Sequence, residues 1–351
     1  MTERIQDIYL SNKSAKEEWM AFLKKRGIKN FAESETKLIE QTIGLFDEQD
    51  RLVATGSIAN NVIKYVAVCD IGAHNKGARF NKIISEIESR LAQLNKFHYF
   101  VFTKPRYQTS FEYIGFKALA ATEFGVILEK GTPNVDDYLD EIPRFDAGNK
   151  IASIVMNANP FTNGHRYLVE KAAKENDYVY VFVVKQDASL FKTAERLELV
   201  KEGTADLENV AVINGGDYMV SFVSFPAYFI KNTDKIIKYQ TLLDARIFRT
   251  QIIKPLGITS RYLGNEPLSH TTDLYNEALQ KELGAEIDVV IVDRLEVDKE
   301  VVSATKVREA IAEGDVNKCL KYIPSTTAAY ITANLDRLQL RIKKGQRIDG
   351  N

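Results

Sequence analysis

The pattern of apolar and polar positions divides the chain into two parts. From Lys150 onward, short apolar runs alternate with stretches that have helical spacing, such as GHRYLVEKAAKE and TAERLELVKEG. The apolar runs predict β-strands, and they are IASIVMN, YVYVFVV, NVAVIN, ITSRYLG and IDVVIVDR. Strands that alternate with helices build a parallel sheet covered by helices on both faces. The predicted fold class of this part is therefore α/β with a doubly wound parallel sheet.

The first 132 residues follow a different pattern. The segment from Lys37 to Val68 predicts two or three antiparallel strands, joined at the turns DEQDR and ANN. NKIISEIESRLAQLNK predicts a helix, HYFVFTK a strand, and SFEYIGFKAL a short helix that ends at Gly115 before another strand. This part is predicted to be an α+β domain.

A boundary between the two parts is predicted from composition. Residues 129–150 contain two prolines, two glycines and six acidic residues. A chain of 351 residues is also long enough for two cores of ordinary size. We therefore predict a first domain over 1–132, a linker over 133–149 and a second domain over 150–351.

Composition limits the kind of partner and compartment. The chain is 45% hydrophobic and 27% charged, and it contains no run of ~18 apolar residues that would span a membrane. Its net charge of -1 gives no reason to expect nucleic acid as a partner. The charged start MTERIQDIYLSNKSAKEEW lacks the features of a secretory signal, so a cytoplasmic location is expected. Cys69 and Cys319 lie in different predicted domains and predict reduced thiols, and no Cys/His group has zinc spacing.

The stretch NANPFTNGH carries the first candidate chemistry. Pro160 and Gly164 predict a tight turn after a buried strand, which places His165 in the first turn of the next helix. Unpaired backbone N–H groups and the helix dipole attract anions there, and phosphate is the expected ligand. The alternative is that Thr162 or Asn163 only caps the helix while His165 faces solvent.

A second candidate lies late in the same domain, in VVSATKVREAIAEGD. Ser303, Thr305, Lys306 and Arg308 would place two hydroxyls and two cations within one turn of a helix N-terminus. Side chains three residues apart share a helix face, so Thr305 and Arg308 can point at one ligand. Alone, this string is most often a capped, solvated helix start. Together with the earlier turn in one α/β domain, it is a strong indication of a phosphate site.

These two stretches resemble the signatures of the nucleotidylyltransferase superfamily, HxGH and ISSTxxR. They are matched by Thr162 to His165 and by Val302 to Arg308, with Thr162 in place of the first histidine and Ala304 in place of the second serine. The resemblance implies a Rossmann-like fold of the type shared with class I aminoacyl-tRNA synthetases. It also implies that His165 and Arg308 are the catalytic residues and hold the triphosphate of ATP, while Ser303 and Thr305 add hydrogen bonds.

The resemblance implies a wider nucleotide site. The loop from Gly264 to Pro267 is similar to the one that surrounds the base and ribose, and Lys185, just after the second strand, is a further candidate phosphate contact; its alternative is an ordinary surface lysine. The complete set expected to contact ATP is Asn159, Pro160, Phe161, Thr162, Gly164, His165, Lys185, Gly264, Asn265, Glu266, Ser303, Thr305 and Arg308.

A closer resemblance, over essentially the whole chain, is to the citrate lyase ligase family. It is carried by MNANPFTNGHRYLVEKA, SFPAYFIKN at 224–232 and YLGNEPLSHTTDLYNEAL. It implies that acetate, ATP and Mg²⁺ give acetyl-adenylate, and that the acetyl group passes to the thiol of a CoA-derived arm on the acyl carrier protein of the citrate lyase complex. AMP and pyrophosphate leave. Neither cysteine of this chain is needed as a nucleophile.

The N-terminal part resembles GNAT acetyltransferases, in VAVCDIGAHNKGARFNKIISEI and TKPRYQTSFEYIGFKAL. The family's pyrophosphate loop is matched by residues 74–79, where Arg79 puts a large side chain at a point of close approach between backbone and phosphate. We therefore expect this domain to be a docking surface for a CoA-like arm and not a second catalyst. The aromatic run SFPAYF either lines an acyl pocket or is plain core.

Three other classes of function remain open from the sequence. The first is a nucleotidylyltransferase acting on another acceptor, including a relative that activates acetate for a tRNA base. The second is a GNAT acyltransferase with a regulatory C-terminal half. The third is a nucleotide-binding sensor without catalysis.

Overall fold

The computed structural model describes residues 3–69, 76–146, 148–185, 189–219, 225–230, 233–265, 270–346 and 348. The chain forms two compact units. The first, the N-terminal unit, contains Met1–Tyr138 and Val223–Arg246. The second, the C-terminal unit, contains Leu139–Phe222 and Ile247–Asn351.

The N-terminal unit is built on a mixed seven-stranded sheet of order β1-β2-β3-β4-β5-β7-β6. Only β4 and β5 are parallel neighbours; the other pairs are antiparallel. The predicted strands and the helix after β4 are present, and the predictions missed the first and last strands. The strands are β1 (Arg4–Asp7), β2 (Gln41–Phe46), β3 (Leu52–Ala59), β4 (Val62–Val68), β5 (His98–Thr103), β6 (Lys117–Ala121) and β7 (Val126–Gly131).

The C-terminal unit is built on a parallel five-stranded sheet of order β10-β9-β8-β11-β12. All five predicted strands are present, so the predicted doubly wound α/β fold class is confirmed. The strands are β8 (Ile151–Met156), β9 (Tyr178–Val183), β10 (Val210–Asn214), β11 (Ser260–Gly264) and β12 (Asp288–Val292). The strand order reverses between β8 and β11, and ligands of such sheets bind beyond the carboxyl ends of the strands at this point. A hairpin of β13 (Glu296–Val297) and β14 (Glu300–Val301) follows β12.

The helices mostly follow the predicted amphipathic stretches. Short 3₁₀ segments occur at Pro105–Tyr107 and Val316–Tyr322, and a π-helical segment at Phe248–Ile253. The helices are α1 (Lys13–Lys25), α2 (Glu33–Thr36), α3 (Lys76–Gln93), α4 (Gln108–Glu112), α5 (Val135–Asp140), α6 (Asn163–Glu175), α7 (Thr193–Gly203), α8 (Thr233–Ile247), α9 (Lys254–Leu256), α10 (His270–Leu283), α11 (Ala304–Glu313) and α12 (Ser325–Lys343). Among the described residues, no helix is long and apolar enough to cross a membrane.

The segment predicted as a linker, 133–149, is partly ordered as helix α5. Its apolar residues Val135, Leu139 and Ile142 are buried, and the backbone N–H of Val135 donates to the buried carboxylate of Glu129 at 3.2 Å. The composition of this segment did not predict the helix. Three buried apolar residues are enough to hold the segment in place, although it is polar overall. The role of 133–149 as a boundary stays a prediction.

An insertion between β10 and β11 belongs to the N-terminal unit, although it was predicted to lie in the second domain. The ring of Tyr228 lies 4.5 Å from that of Tyr65, and Phe225 lies 5.9 Å from Phe102. The hydroxyl of Tyr228 also donates to the carbonyl of Phe102 at 2.6 Å. The described part of the aromatic run, which starts at Phe225, is therefore core of this unit; Ser224 lies outside the described residues.

A buried ion pair fixes this insertion in the N-terminal unit. Lys64 on β4 contacts the Glu35 carboxylate at 2.6 Å, and only 7% and 10% of their side chains are exposed. The other oxygen of Glu35 accepts from the backbone N–H of Ala227 at 2.7 Å. Each charge thus has its partner, which a buried charge requires.

Removal of one partner of this pair should be costly. We expect Lys64→Met to lower the free energy of unfolding of this unit by about 3 kcal/mol, because it leaves the Glu35 charge buried and unpaired. Urea unfolding followed by the fluorescence of Trp19, the single tryptophan, measures it, because Trp19 is buried in the same unit. Lys37→Met, at an exposed lysine, is the control. Equal stability of both variants would contradict this prediction.

Neither Cys69 nor Cys319 forms a disulfide, and both are buried. The thiol of Cys319 donates to the carbonyl of Val316 at 3.2 Å, and burial raises its pKa. A buried thiol with a raised pKa is a poor nucleophile.

Candidate functional site

The loop after β8 and the start of α6 place His165 in a defined orientation. Thr162 is the N-cap residue of α6, and its hydroxyl accepts from the backbone N–H of His165 at 3.4 Å. In return, the backbone N–H of Thr162 donates to Nδ1 of His165 at 3.0 Å. Because Nδ1 accepts a hydrogen bond, the neutral ring carries its proton on Nε2. His165 therefore presents an N–H donor at the end of the central strand.

The surroundings of His165 keep it neutral. Burial and the charges of Arg294 and Arg308 lower its pKa from 6.5 to about 4. At pH 7 the imidazole can donate one hydrogen bond to an anion but supplies no charge and takes up no proton. Thr162 does cap the helix, yet His165 is half-buried and oriented by its cap, so the solvent-facing alternative does not hold.

The lowered pKa predicts a specific loss of stability in acid. Below about pH 6.5 the unfolded chain protonates this histidine while the folded chain does not, until the pH approaches 4. Stability is thus complete above pH 6.5 and falls as the pH falls through this range. We expect the acid-induced loss between pH 7 and pH 4.5 to be smaller in His165→Gln than in the wild type, by on the order of 1 kcal/mol. Urea unfolding at both pH values measures it, and equal losses would contradict it.

Arg308 is the second element of the site, and it is 1% exposed. Its Nη1 donates to the carbonyl of Asn159 at 2.6 Å, and its Nη2 donates to the hydroxyl of Thr305 at 3.0 Å. Its Nε donates to the carbonyl of Ile348 at 2.7 Å. The guanidinium thus joins the start of α11 both to the loop after β8 and to the C-terminal segment.

The two motifs converge, although 140 or so residues separate them in the chain. Besides the bond from Arg308 to Asn159, a side chain at Gly164 would lie about 3.5 Å from Val302. The backbone at Gly164 does not have the positive φ of a tight turn, and a Cβ there would make ordinary contacts. The expectation that Gly164 is needed for the turn is therefore wrong, because Thr162 makes the turn as an extended N-cap.

Two residues before Thr162 have contacts within the protein. The side-chain oxygen of Asn159 accepts from the backbone N–H of Phe191 at 3.1 Å. Phe161 is fully buried and packs on Gly203, where a Cβ would lie 2.5 Å from its ring. The Asn159–Pro160 peptide bond is cis. The contacts of Asn159 and Phe161 support the loop, and their predicted contact with ATP stays a prediction.

The second motif is arranged around the start of α11. Ser303 is its N-cap residue and accepts from the backbone N–H of Thr305 at 3.2 Å. Thr305 accepts from Arg308, as their shared helix face predicted. Lys306 turns away: its ammonium group lies 3.5 Å from Glu300 and 5.3 Å from the ring of Tyr322.

The remaining predicted residues lie at the ends of other strands. Lys185 follows β9 and forms an ion pair with Asp217 at 2.6 Å, and half of its side chain is exposed. No contact joins Lys185 to His165 or Arg308 in the described part of the chain. Gly264 ends β11, and no described residue comes within 4 Å of the point where a Cβ would be; Asn265 follows it. Glu266 and Pro267 lie outside the described residues.

The sequence reasoning missed Arg294. This residue follows β12, its Nε donates to the carbonyl of Asn265 at 3.0 Å, and its charge is one of the two that lower the pKa of His165. The signal was present in IDVVIVDR, because an arginine directly after a strand of a parallel sheet lies at the edge where ligands bind. It was read only as the end of a strand.

The C-terminal segment after α12 was also missed. Besides the contact of Ile348 with Arg308, the amide of Gln346 donates to the carbonyl of Ser189 at 2.9 Å. Arg341 pairs with Glu195 at 2.6 Å, and this arginine holds the pKa of Glu195 down at about 2 against the opposing effect of burial. The basic end of the chain thus packs on the loop before α7 and on the first turn of that helix.

This arrangement is suited to binding a polyanion. The N-termini of α6 and α11 meet at the carboxyl edge of the sheet, with the neutral donor His165 and the arginines Arg294 and Arg308 beside them. Helix N-termini and guanidinium groups both favour phosphate oxygens. Within the described ranges, no group of three or more His, Cys, Asp or Glu residues could hold a metal ion.

The chain is similar to known proteins along most of its length. Residues 151–331 match the model of the citrate lyase ligase C-terminal domain. The [citrate [pro-3S]-lyase] ligase of Escherichia coli K12 is 34% identical over 304 residues, which are 84% of this chain and 86% of that protein. The enzyme of the same name from Haemophilus influenzae is 35% identical over 304 residues, 84% of this chain and 89% of that protein. A GNAT-family acetyltransferase structure from Staphylococcus aureus Mu50 is 14% identical, with a TM-score of 0.30, over 37% of this chain and 99% of that one.

Proposed function

The chain belongs to the citrate lyase ligase family, and on that premise we propose that it activates acetate with ATP and acetylates the acyl carrier protein of citrate lyase. Acetate and ATP give acetyl-adenylate and pyrophosphate. The thiol of the carrier's CoA-derived arm then takes the acetyl group, and AMP leaves. The observation that carries the proposal is the meeting of two helix N-termini through the bond from Arg308 to Asn159, beside the neutral donor His165.

The first step needs positioning and charge stabilisation. Acetate is ionised at pH 7, so no general base is required for its oxygen to attack the α-phosphorus. Negative charge grows on the leaving pyrophosphate, and His165 Nε2–H, Arg308 and the helix N-termini would stabilise it. A histidine that stays neutral suits this role, because it donates a hydrogen bond without competing for protons.

We further propose that Arg294 contributes to this phosphate site. Its backbone position after β12 and its bond to the carbonyl of Asn265 hold it at the same edge of the sheet as the loop expected to surround the base. No described residue lies where a side chain at Gly264 would be, which would leave room for a ligand next to the backbone. Ser303 and Thr305 would orient Arg308 and add hydrogen bonds.

In the second step, the thiolate of the carrier's CoA-derived arm attacks the carbonyl carbon of the acetyl-adenylate. The carbon–sulfur bond forms as the bond from carbon to the phosphate oxygen breaks, and AMP leaves with the electron pair. Both cysteines of this chain are buried, so the nucleophile comes from the carrier. Mg²⁺ would enter with ATP and be held mainly by phosphate oxygens and water, which is how this ion binds where carboxylates are few. It would neutralise charge on the phosphates.

Acetate-dependent exchange of pyrophosphate into ATP tests the first step by itself. We expect exchange with acetate, ATP and Mg²⁺ and without any carrier, and acetylation of the carrier when deacetylated citrate lyase is added. Absence of exchange, while ATP binds tightly, would indicate a nucleotide sensor. Acetyl-CoA turnover without ATP would indicate a GNAT acyltransferase. Exchange that depends on a phosphorylated acceptor, or acetylation of a tRNA base, would indicate the remaining class, a nucleotidylyltransferase with another acceptor or its tRNA-acetylating relative.

A further inference from the structure

The N-terminal unit carries a cluster of cations without counter-charges, which we call the basic cleft: Lys24, Lys25, Lys29, Lys104 and Arg106. Between Glu18 and Glu33 the sequence has four cations and no acidic residue. Between Glu88 and Glu112 it again has no acidic residue. Within the part of the chain that the structure describes, no residue of the basic cleft forms an ion pair. In a chain of net charge -1, this is a local concentration of positive charge.

The structure brings these two sequence segments together. The ammonium group of Lys104, just after β5, donates to the carbonyl of Gly27 at 3.2 Å. Arg26 in turn donates from its Nε to the carbonyl of Val68, the last residue of β4, at 3.0 Å. Burial, and after it the charge of the neighbouring Arg106, lower the pKa of the Lys104 ammonium group, so these two cations lie near each other.

The surface here is concave. Lys24, Lys25, Lys29, Asn30 and Phe31 line a cavity of about 720 Å³. The three lysines are exposed, and Phe31 is half-exposed with its ring stacked 5.8 Å from that of Tyr65. An aromatic ring held by stacking, with exposed ammonium groups beside it, is suited to contact with an anionic surface, because it supplies both attraction and a fixed contact point.

We propose that the basic cleft is the docking surface for an acidic face of the carrier protein. This rests on the proposed function, which requires a protein acyl acceptor to meet the ligase for each turnover. Charge complementarity selects the partner: exposed lysines attract carboxylates and raise the rate of encounter, and a contact of this kind can be released after transfer. Nucleic acid is disfavoured because the chain as a whole has a net charge of -1 and not a basic excess.

The test compares two double variants of equal charge change. Lys24→Glu/Lys29→Glu reverses charge in the cleft, and Lys13→Glu/Lys16→Glu reverses it at the other end of α1, where both lysines are also exposed. With deacetylated citrate lyase as acceptor, we expect the cleft variant to lose at least ~10-fold in kcat/KM and to show a weaker salt dependence, while the control variant stays within about 2-fold. Both should keep the carrier-independent exchange of pyrophosphate into ATP.

Binding and a small acceptor separate the outcomes. Calorimetric binding of the isolated carrier should weaken at least ~10-fold in the cleft variant only. Unchanged binding and unchanged kcat/KM would overturn the docking surface. An equal loss with free CoA as acceptor would also overturn it, since the cleft would then hold the arm's phosphates and not a protein face. If the wild type shows no acetate-dependent exchange, the proposed function fails, while carrier binding still decides the docking surface.

Discussion

His165→Ala is expected to lower the rate of acetate-dependent pyrophosphate exchange by ~10²- to 10³-fold, the usual effect of removing one oriented donor from a charge-stabilising site. The reason is the hydrogen-bond geometry: the Thr162 backbone occupies Nδ1, so Nε2–H is the one donor the ring can offer. Because His165 is neutral at pH 7, the loss should be nearly constant between pH 6 and pH 8. Exchange rates at saturating ATP and acetate measure it.

The matched control is Tyr167→Ala, two residues further along α6, where the side chain is 39% exposed. It should change the exchange rate by less than about 2-fold. His165→Gln can still offer an N–H donor and should recover part of the lost rate. An exchange rate of His165→Ala equal to that of the wild type would remove His165 from the site.

Arg308→Ala is expected to have two effects at once. It should lower the exchange rate by at least ~10²-fold. It should also lower the free energy of unfolding by ~1 to 3 kcal/mol, because the buried carbonyl of Asn159 loses its donor. Exchange assays and urea unfolding of the same preparation separate the two, provided that assays are run where the variant is fully folded.

Arg308→Lys and Lys306→Ala complete this experiment. A lysine keeps the charge but cannot make the three bonds of the guanidinium, so Arg308→Lys should also lose exchange, with a smaller loss of stability. Lys306→Ala, on the same helix but directed to Glu300, should retain at least about a third of the exchange rate. Loss of stability in Arg308→Ala with a normal exchange rate would make Arg308 a purely structural residue.

Most of the C-terminal fold could be predicted, because its periodicity is strong and local. Five apolar runs gave five parallel strands in the expected class of sheet. The convergence of Thr162–His165 with Val302–Arg308 followed from the same reasoning, since the segments that follow the strands of one parallel sheet meet at one edge. The tautomer and the lowered pKa of His165 could not be predicted, because they depend on a hydrogen bond and on charges that only the folded chain brings together.

Tertiary contacts account for the remaining errors. Helix α1 was missed because its apolar residues Trp19, Phe22 and Leu23 lie in a strongly charged segment, although all three are buried. The bonds from Arg308 to the carbonyls of Asn159 and Ile348 could not be predicted either, because both partners are remote from it in the sequence. The aromatic residues after Phe225 were assigned by their place in the sequence, while their packing partners lie in another unit.

The division of the chain into units has a practical consequence for the design of truncated variants. The polypeptide crosses from one unit to the other three times, after Tyr138, before Val223 and after Arg246. A fragment that stops near residue 149 would lack Tyr228, whose ring packs on Tyr65 in the core. It would also lack Ala227, whose backbone N–H donates to the Glu35 carboxylate. No single cut of the chain yields two complete units. The proposed roles of the C-terminal unit in adenylation and of the basic cleft in docking are therefore best separated by point substitutions within the intact polypeptide.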